Sequence, residues 1–438
     1  MSTRKRLVVL SGGSAANNLI EVFTTLCSSG ERGLDFILPI SDNGGSTSEI
    51  LRVFGGPGIG DVRSRLIRLV PDDTADLAVK HLLNHRLSSR TEWLELVEGT
   101  HPLWAGISSE KRELIRSFFN LLNLELIKRQ RPGSAFNFLS ASTGNLFLTG
   151  ARVFFGSFES AIYLFRSITG VPDNIQVLPA INSMHTHHIA AGLESGEVIT
   201  GQNQISHPSP PSPPPTEVGV LEEEEVVEDQ EEDANLPGSL RELRMQNIEF
   251  SKTEEQALPA RIERVWYINP YGHEIRPPAN PKVVASLAAA EAVVYSIGSL
   301  YTSLAPILIL RNIHLPASVP KILLLNGSHD RETAGMTATD YVRAIARCLG
   351  GRNERELKSY VTHVIYLEGN GAPPVDVKEL RQLGVEAVRV YGRRNPAGDG
   401  KGMLYDPVPL PQALAAILGK NRGKRADTRR NTTRWLSR

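Results

Sequence analysis

Two cysteines in 438 residues, Cys27 and Cys348, are too few for a disulfide framework or a cysteine-built metal site. That scarcity favours a reducing compartment. Net charge is missing as well. The 48 Lys and Arg balance the 48 Asp and Glu, so no global field draws the chain to nucleic acid or to an anionic membrane. No apolar run approaches the length of a membrane span, and the run after the basic start MSTRKRLVVLSGG is too short for a signal peptide. Repeats of solenoid type are also lacking. These absences lead us to expect a soluble, cytoplasmic protein with no nucleic-acid and no membrane partner.

What is present reads as one large α/β domain over residues 1–418. Apolar, β-branched runs recur at 6–10, 35–40, 292–297, 321–326, 363–367 and 386–390, as buried parallel strands do. Helical spacing runs through 15–30, ending at a glycine, and through 337–350. Strand and helix in alternation predict a doubly wound, Rossmann-like parallel sheet, with ligands beyond the carboxyl ends of its strands. Residues 74–130 read as a helical excursion. Residues 185–206 alternate and turn at ESGE, which predicts a small antiparallel hairpin, with 261–270 able to add a strand. The stretch 207–239 is Pro-rich and then acidic, and reads as a disordered insertion. Residues 419–438 form a basic disordered tail. Insertion and tail are offered here as surfaces for unidentified protein partners.

Four strands are followed by small, polar, glycine-rich loops: SGGSAANNL, SDNGGSTS, GSLYTSLAPIL and GSHDRETAG. Glycine lets backbone approach a ligand, and a helix N-terminus offers free N–H groups to phosphate. Each loop alone is equally well a tight turn with a cap. Four on successive strands point to a phosphorylated ligand. The segment SDNGGSTSEILRVFGGPGIGDVRSRL (41–66) stands out by carrying six glycines, two aspartates and three arginines. MHTHH (184–188) puts His185 and His187 on one strand face, but no HExxH or cysteine accompanies them, and polar packing or a surface position is the better reading.

In combination these motifs resemble the CofD and YvcK family, which includes 2-phospho-L-lactate transferases and YvcK-like gluconeogenesis factors. The resemblance rests on Gly12-Gly13-Ser14-Ala15, Asp42-Asn43-Gly44-Gly45-Ser46-Thr47-Ser48, Gly60-Asp61-Val62-Arg63, TGNLFLTGAR (143–152), VLPAIN (177–182), SIGSLYTSLAPILI (296–309) and RETAGMTATDYV (331–342). It is collinear over roughly residues 6 to 350. The chain departs from the family pattern at Ser14-Ala15, at Asn43 in place of a second aspartate, and at Ser296-Ile297. The resemblance implies a Rossmann-like fold, a nucleotide or nucleotide-sugar ligand, Mg²⁺ as cofactor and self-association as a homodimer.

The same resemblance assigns Asp42 and Asp61 to the metal and to catalysis, because hard cations take carboxylate oxygens and ligand phosphates. A helix cap and a partner for Arg63 or Arg65 are their plainer alternatives. Ligand contact is expected from Gly12, Gly13, Ser14, Asn43, Gly44, Gly45, Ser46, Arg63, Asn145, Gly298, Ser299 and Thr302. Arg63 would clamp phosphate with its planar fork. Asn145 would touch base or sugar, or else cap its helix. Two functions follow: a YvcK-like nucleotide-sugar-binding regulator of carbohydrate metabolism, or a CofD-like Mg²⁺-dependent transferase moving a phospholactyl-type group from a nucleoside diphosphate carrier. The closer likeness of LESGEVITGQNQI to the YvcK hairpin favours the first. A third reading makes the fold a scaffold for the insertion and tail.

Overall fold

The computed structural model describes residues 5–12, 15–28, 32–72, 76–130, 135–207, 240, 243, 257–396 and 402–419. Gly13, Ser14, nearly all of the acidic insertion and the basic tail lie outside the described residues. The chain divides into two compact units. The first is Met1–Pro39, Pro172–Ile181 and Pro277–Arg438; the second is Ile40–Val171 and Asn182–Arg276.

The first unit is built on a parallel sheet. Strands β1 (Arg6–Leu10) and β2 (Gly33–Leu38) are buried almost throughout, as expected of strands covered on both faces. Pro39 cannot donate to a ladder, so β2 ends there rather than at residue 40. The third strand, β3 (Ile175–Pro179), pairs with β2.

The second unit supplies the small antiparallel sheet. Strands β4 (His188–Leu193) and β5 (Val198–Thr200) form the expected hairpin around Gly196. β6 (Ile262–Ile268) pairs with β4, and β7 (Glu274–Ile275) closes the edge, giving the order β5-β4-β6-β7. The rest of this unit is helical, with long elements at Arg90–Glu98, Ser109–Arg129, Thr143–Phe155 and Phe158–Thr169. Its core is aromatic. The Trp93 ring lies 5.1 Å from Phe119 and 5.9 Å from Phe138, and its indole N–H donates to Asn123 Oδ1 at 3.0 Å.

The first unit then resumes with β8 (Ala290–Tyr295), β9 (Lys321–Leu324), β10 (His363–Tyr366) and β11 (Glu386–Arg389), followed by a hairpin of β12 (Gly392–Arg394) and β13 (Met403–Tyr405). The seven-stranded order is β11-β10-β9-β8-β1-β2-β3, all parallel and flanked by helices. Helix Pro281–Ala288 packs on β1, β3 and β8. The chain winds one way from β1 and the other way from β8. The switch point of this α/β sheet therefore lies between β1 and β8, where open α/β sheets bind ligands.

Candidate functional site

The sequence-expected residues fall into two groups. The second unit brings together Asp42, Asn43, Gly44, Gly45, Ser46, Asp61, Arg63 and Asn145. Gly12, Gly298, Ser299 and Thr302 belong to the first unit.

In the second unit the loop 41–45 enters helix Ser46–Phe54, whose N-cap is Gly45 without a side-chain bond. Asp42 is therefore not the helix cap. Its Oδ1 accepts from Gly44 N–H at 3.1 Å. The glycine-rich chain 55–60 passes back over it. Gly58 N–H donates to Ile40 O at 2.8 Å. A β-carbon at Gly58 would stand 2.4 Å from Asp42 O, and one at Gly60 would stand 2.4 Å from Asp42 Oδ2 and 2.7 Å from Thr47 Oγ1. Close approach to the Asp42 loop thus leaves no room for a side chain at Gly58 or Gly60.

Gly60 opens helix Gly60–Leu69, which sets Asp61 in its first turn and Arg63 and Arg65 within reach of its charge. Burial, and then the charge of Asp61, push the half-buried Asp42 carboxyl up to about 7. The Gly44 and Thr47 hydrogen bonds and the Arg63 charge pull the other way. Burial lowers both Arg63 and Arg65 to about 10, against the pull of Asp61. The Ser41 hydroxyl beside this loop is buried and has no hydrogen-bond partner among the described residues.

Asn145 does not cap its helix; Ser142 does, accepting from Asn145 N–H at 3.5 Å. The Asn145 carboxamide instead links two site residues. Its Oδ1 accepts from Arg63 Nε at 3.2 Å, and its Nδ2 donates to Ser46 Oγ at 3.0 Å. Asn43 Oδ1 accepts from Asn203 N–H at 3.3 Å. The Asn203 carboxamide is itself buried without a partner among the described residues. Sequence reasoning did not single out Thr47, Ser142 or Asn203, because each looks like an ordinary polar turn residue until the backbone places it.

Among the described residues no group of three or more His, Cys, Asp and Glu could hold a metal ion. A pair of carboxylates still fits a hard cation such as Mg²⁺, which takes its other oxygens from waters and phosphates. Burial raises Asp42 most and the Asp61 charge adds to it, and a bound cation offsets both by stabilising the ionised pair. Of the histidines near 185, His185 is exposed while His187 and His188 pack inward. His187 Nδ1 lies 3.0 Å from His185 O, and burial lowers His188 to about 4.

In the first unit Gly12 and Gly298 meet at the switch point. Gly298 has φ 132, a value that side-chain-bearing residues rarely adopt, and a β-carbon there would stand 3.6 Å from Gly12 O. Ser296 N–H donates to Leu10 O at 2.9 Å, while the buried Ser296 hydroxyl has no partner among the described residues. Asn326 clamps Gly298 from both sides, at 3.0 and 2.9 Å. Ser299 is the N-cap of the following helix but makes no side-chain cap bond.

The phosphate donors expected at Thr302 are engaged by a residue the sequence reading overlooked. Glu332 accepts from Tyr301 N–H at 2.9 Å, Thr302 N–H at 3.1 Å and Thr302 Oγ1 at 2.5 Å. Burial, and then Asp330, push Glu332 up to about 8 against those bonds. The glutamate of the RETAG stretch was the available signal.

Comparison with known proteins gives a family and a fold. A family model described as 2-phospho-L-lactate transferase CofD matches residues 7–391. An uncharacterized protein of Saccharomyces cerevisiae, YNL011C, is 42% identical over 407 residues, covering 84% of this chain and 91% of that protein. Two crystal structures of protein BH3568 from Bacillus halodurans, described as a member of the UPF0052 family, superpose with TM-scores of 0.60 and 0.59. Their identities are 19% and 18%, and they cover 95% and 93% of this chain and 99% of each neighbour. At that identity the likeness concerns the fold. Among the described residues no helix is long and apolar enough to cross a membrane.

Proposed function

This chain belongs to the 2-phospho-L-lactate transferase CofD family, and from that premise we propose that it is a transferase acting on a nucleoside-diphosphate-linked substrate. A phosphate-linked group would pass from that carrier to a hydroxyl acceptor, with nucleoside monophosphate leaving. The observation that carries the reading is the Asp42 loop, packed under Gly58 and Gly60 at the start of the helix that carries Asp61, where burial first and the Asp61 charge second raise Asp42 to about 7. Asp42 and Asp61 would hold Mg²⁺, whose chemistry is to neutralise charge on the phosphates. Arg63, oriented by Asn145, would take a phosphate oxygen through its fork. Ser46 and the Gly44–Gly45 backbone would line the same loop.

A second reading, a nucleotide-sugar-binding regulator without turnover, is favoured by Asn43. A neutral amide stands where the family pattern has a second aspartate, and here it binds the Asn203 backbone. Phosphorus NMR of the protein with Mg²⁺, a nucleoside-diphosphate-linked acid and a panel of hydroxyl acceptors separates the two. Release of nucleoside monophosphate only when an acceptor is present supports transfer. Tight binding of a nucleotide sugar with no new phosphorus signal supports the regulator.

A further inference from the structure

The helical part of the second unit holds an open cleft of about 780 Å³ that the Asp42 loop does not line. Helix Gly60–Leu69 contributes Arg63 and Arg68, helix Leu77–Asn84 contributes His81, the segment after it His85 and Arg86, and the turn Pro102–Trp104 contributes Leu103. Three guanidiniums thus face one cavity. Among the described residues none of the three is in ion-pair contact with a carboxylate. Arg63 reaches the amide oxygens of Asn145 and Asn84 at 3.2 and 3.4 Å, and Arg86 Nη1 reaches Ser140 O at 2.9 Å.

The nearby carboxylates make their direct bonds to other groups. Glu92 accepts from Ser88 N–H at 2.6 Å and Ser88 Oγ at 2.8 Å, and meets His85 Nε2 at 2.5 Å and His101 Nε2 at 3.4 Å. Burial opposes its ionisation, yet these bonds hold it at about 2. Asp72 pairs with Lys80 at 2.5 Å and lies within reach of the Arg68 and His81 charges. Asp61 lies between Asp42, Arg63 and Arg65. Arg63, only 8% exposed, cannot swing into water. Like charges gathered in one cavity, none of them in ion-pair contact with a carboxylate among the described residues, are relieved by an oxyanion.

We propose that this cleft binds the dianionic end, a phosphomonoester or a dicarboxylate, of the small molecule that accepts the transferred group. Arg86 grips the oxyanion, Arg63 adds its charge from the cavity wall, Arg68 and His81 add positive charge at the rim, and Leu103 gives its carbon skeleton an apolar wall. The proposal names the class of the second substrate and so rests on the transferase reading. Its binding is measurable without turnover.

The test is calorimetric titration of the full chain, without nucleotide, with ribose 5-phosphate, malonate and ribose. We expect saturable binding of at least one dianion and none of ribose. A response to ribose 5-phosphate alone identifies a phosphomonoester, and one to malonate alone a dicarboxylate. Arg86→Gln and the double variant Arg68→Gln/Arg86→Gln, both at exposed positions, should weaken the dianion tenfold or more. If loss of the Arg86–Ser140 bond unfolds these variants, Arg68→Gln and His81→Gln singly should each weaken it at least twofold. Failure of both dianions to bind, equal binding of ribose, or unchanged affinity in the variants overturns the proposal. The nucleotide reading is judged separately, by Mg²⁺-dependent nucleotide binding in Asp42→Asn, so either can fail alone.

Discussion

Asp42→Asn removes one carboxylate from the pair and should stabilise the ligand-free protein at alkaline pH. A carboxyl raised from 3.8 to about 7 binds its proton in the folded chain where the unfolded chain has lost it. Between those values the native state carries more protons, so stability falls as pH climbs through the window. The full shift corresponds to about 4 kcal/mol, and the partial exposure of Asp42 reduces that to about 2 kcal/mol. The asparagine keeps an acceptor for Gly44 N–H and carries no charge against Asp61. At pH 8 the variant should therefore melt about 4 °C above the parent, with the difference nearly gone at pH 4.5. Other titrating groups cancel in the comparison of the two proteins. Melting curves over pH 4.5 to 9 are the assay. A variant less stable than its parent at pH 8, or a difference that ignores pH, would refute the reasoning.

Gly60→Ala places a methyl 2.4 Å from Asp42 Oδ2 and 2.7 Å from Thr47 Oγ1. It should cost about 1–3 kcal/mol in chemical denaturation and abolish cation-dependent ligand binding. Asn145→Ala frees the Arg63 fork from its amide partner. Nucleotide affinity should drop about tenfold, while stability falls by about 1 kcal/mol. Glu332→Ala leaves Tyr301 and Thr302 donors unmatched in a buried place, which should cost about 3 kcal/mol in a urea melt. As Glu332 is raised to about 8 from its usual 4.5, the parent also loses stability as pH rises across that span, and the variant loses that component.

The sheet was readable because most of its strands are short apolar runs, the central ones buried on both faces. Six of the seven are visible as β-branched segments, and the seventh, Ile175–Pro179, came only through the VLPAIN match. The β12–β13 hairpin was not anticipated, because GRR and MLY carry no alternation. In the site, Asp42, Asp61 and Arg63 could be named because glycine and charge cluster in that stretch and the family resemblance assigned roles to them. Local sequence could not show that Gly58 and Gly60 press on the Asp42 loop, since that contact joins two passes of the chain. Nor could it show that Glu332, some thirty residues on, holds the Thr302 donors. Spacing along a chain does not report which carboxylate a helix N-terminus meets. The arginine cleft was equally hidden, because its walls come from three separate segments.

The most direct test is calorimetric titration of the protein with nucleoside diphosphates of guanine, uracil and adenine, with Mg²⁺ and with chelator, in the parent and in Asp42→Asn. The carboxylate pair requires that one nucleotide bind at least tenfold more tightly with Mg²⁺, and that this gain vanish in the variant. Equal affinity with and without the cation, or a gain that survives Asp42→Asn, would contradict it.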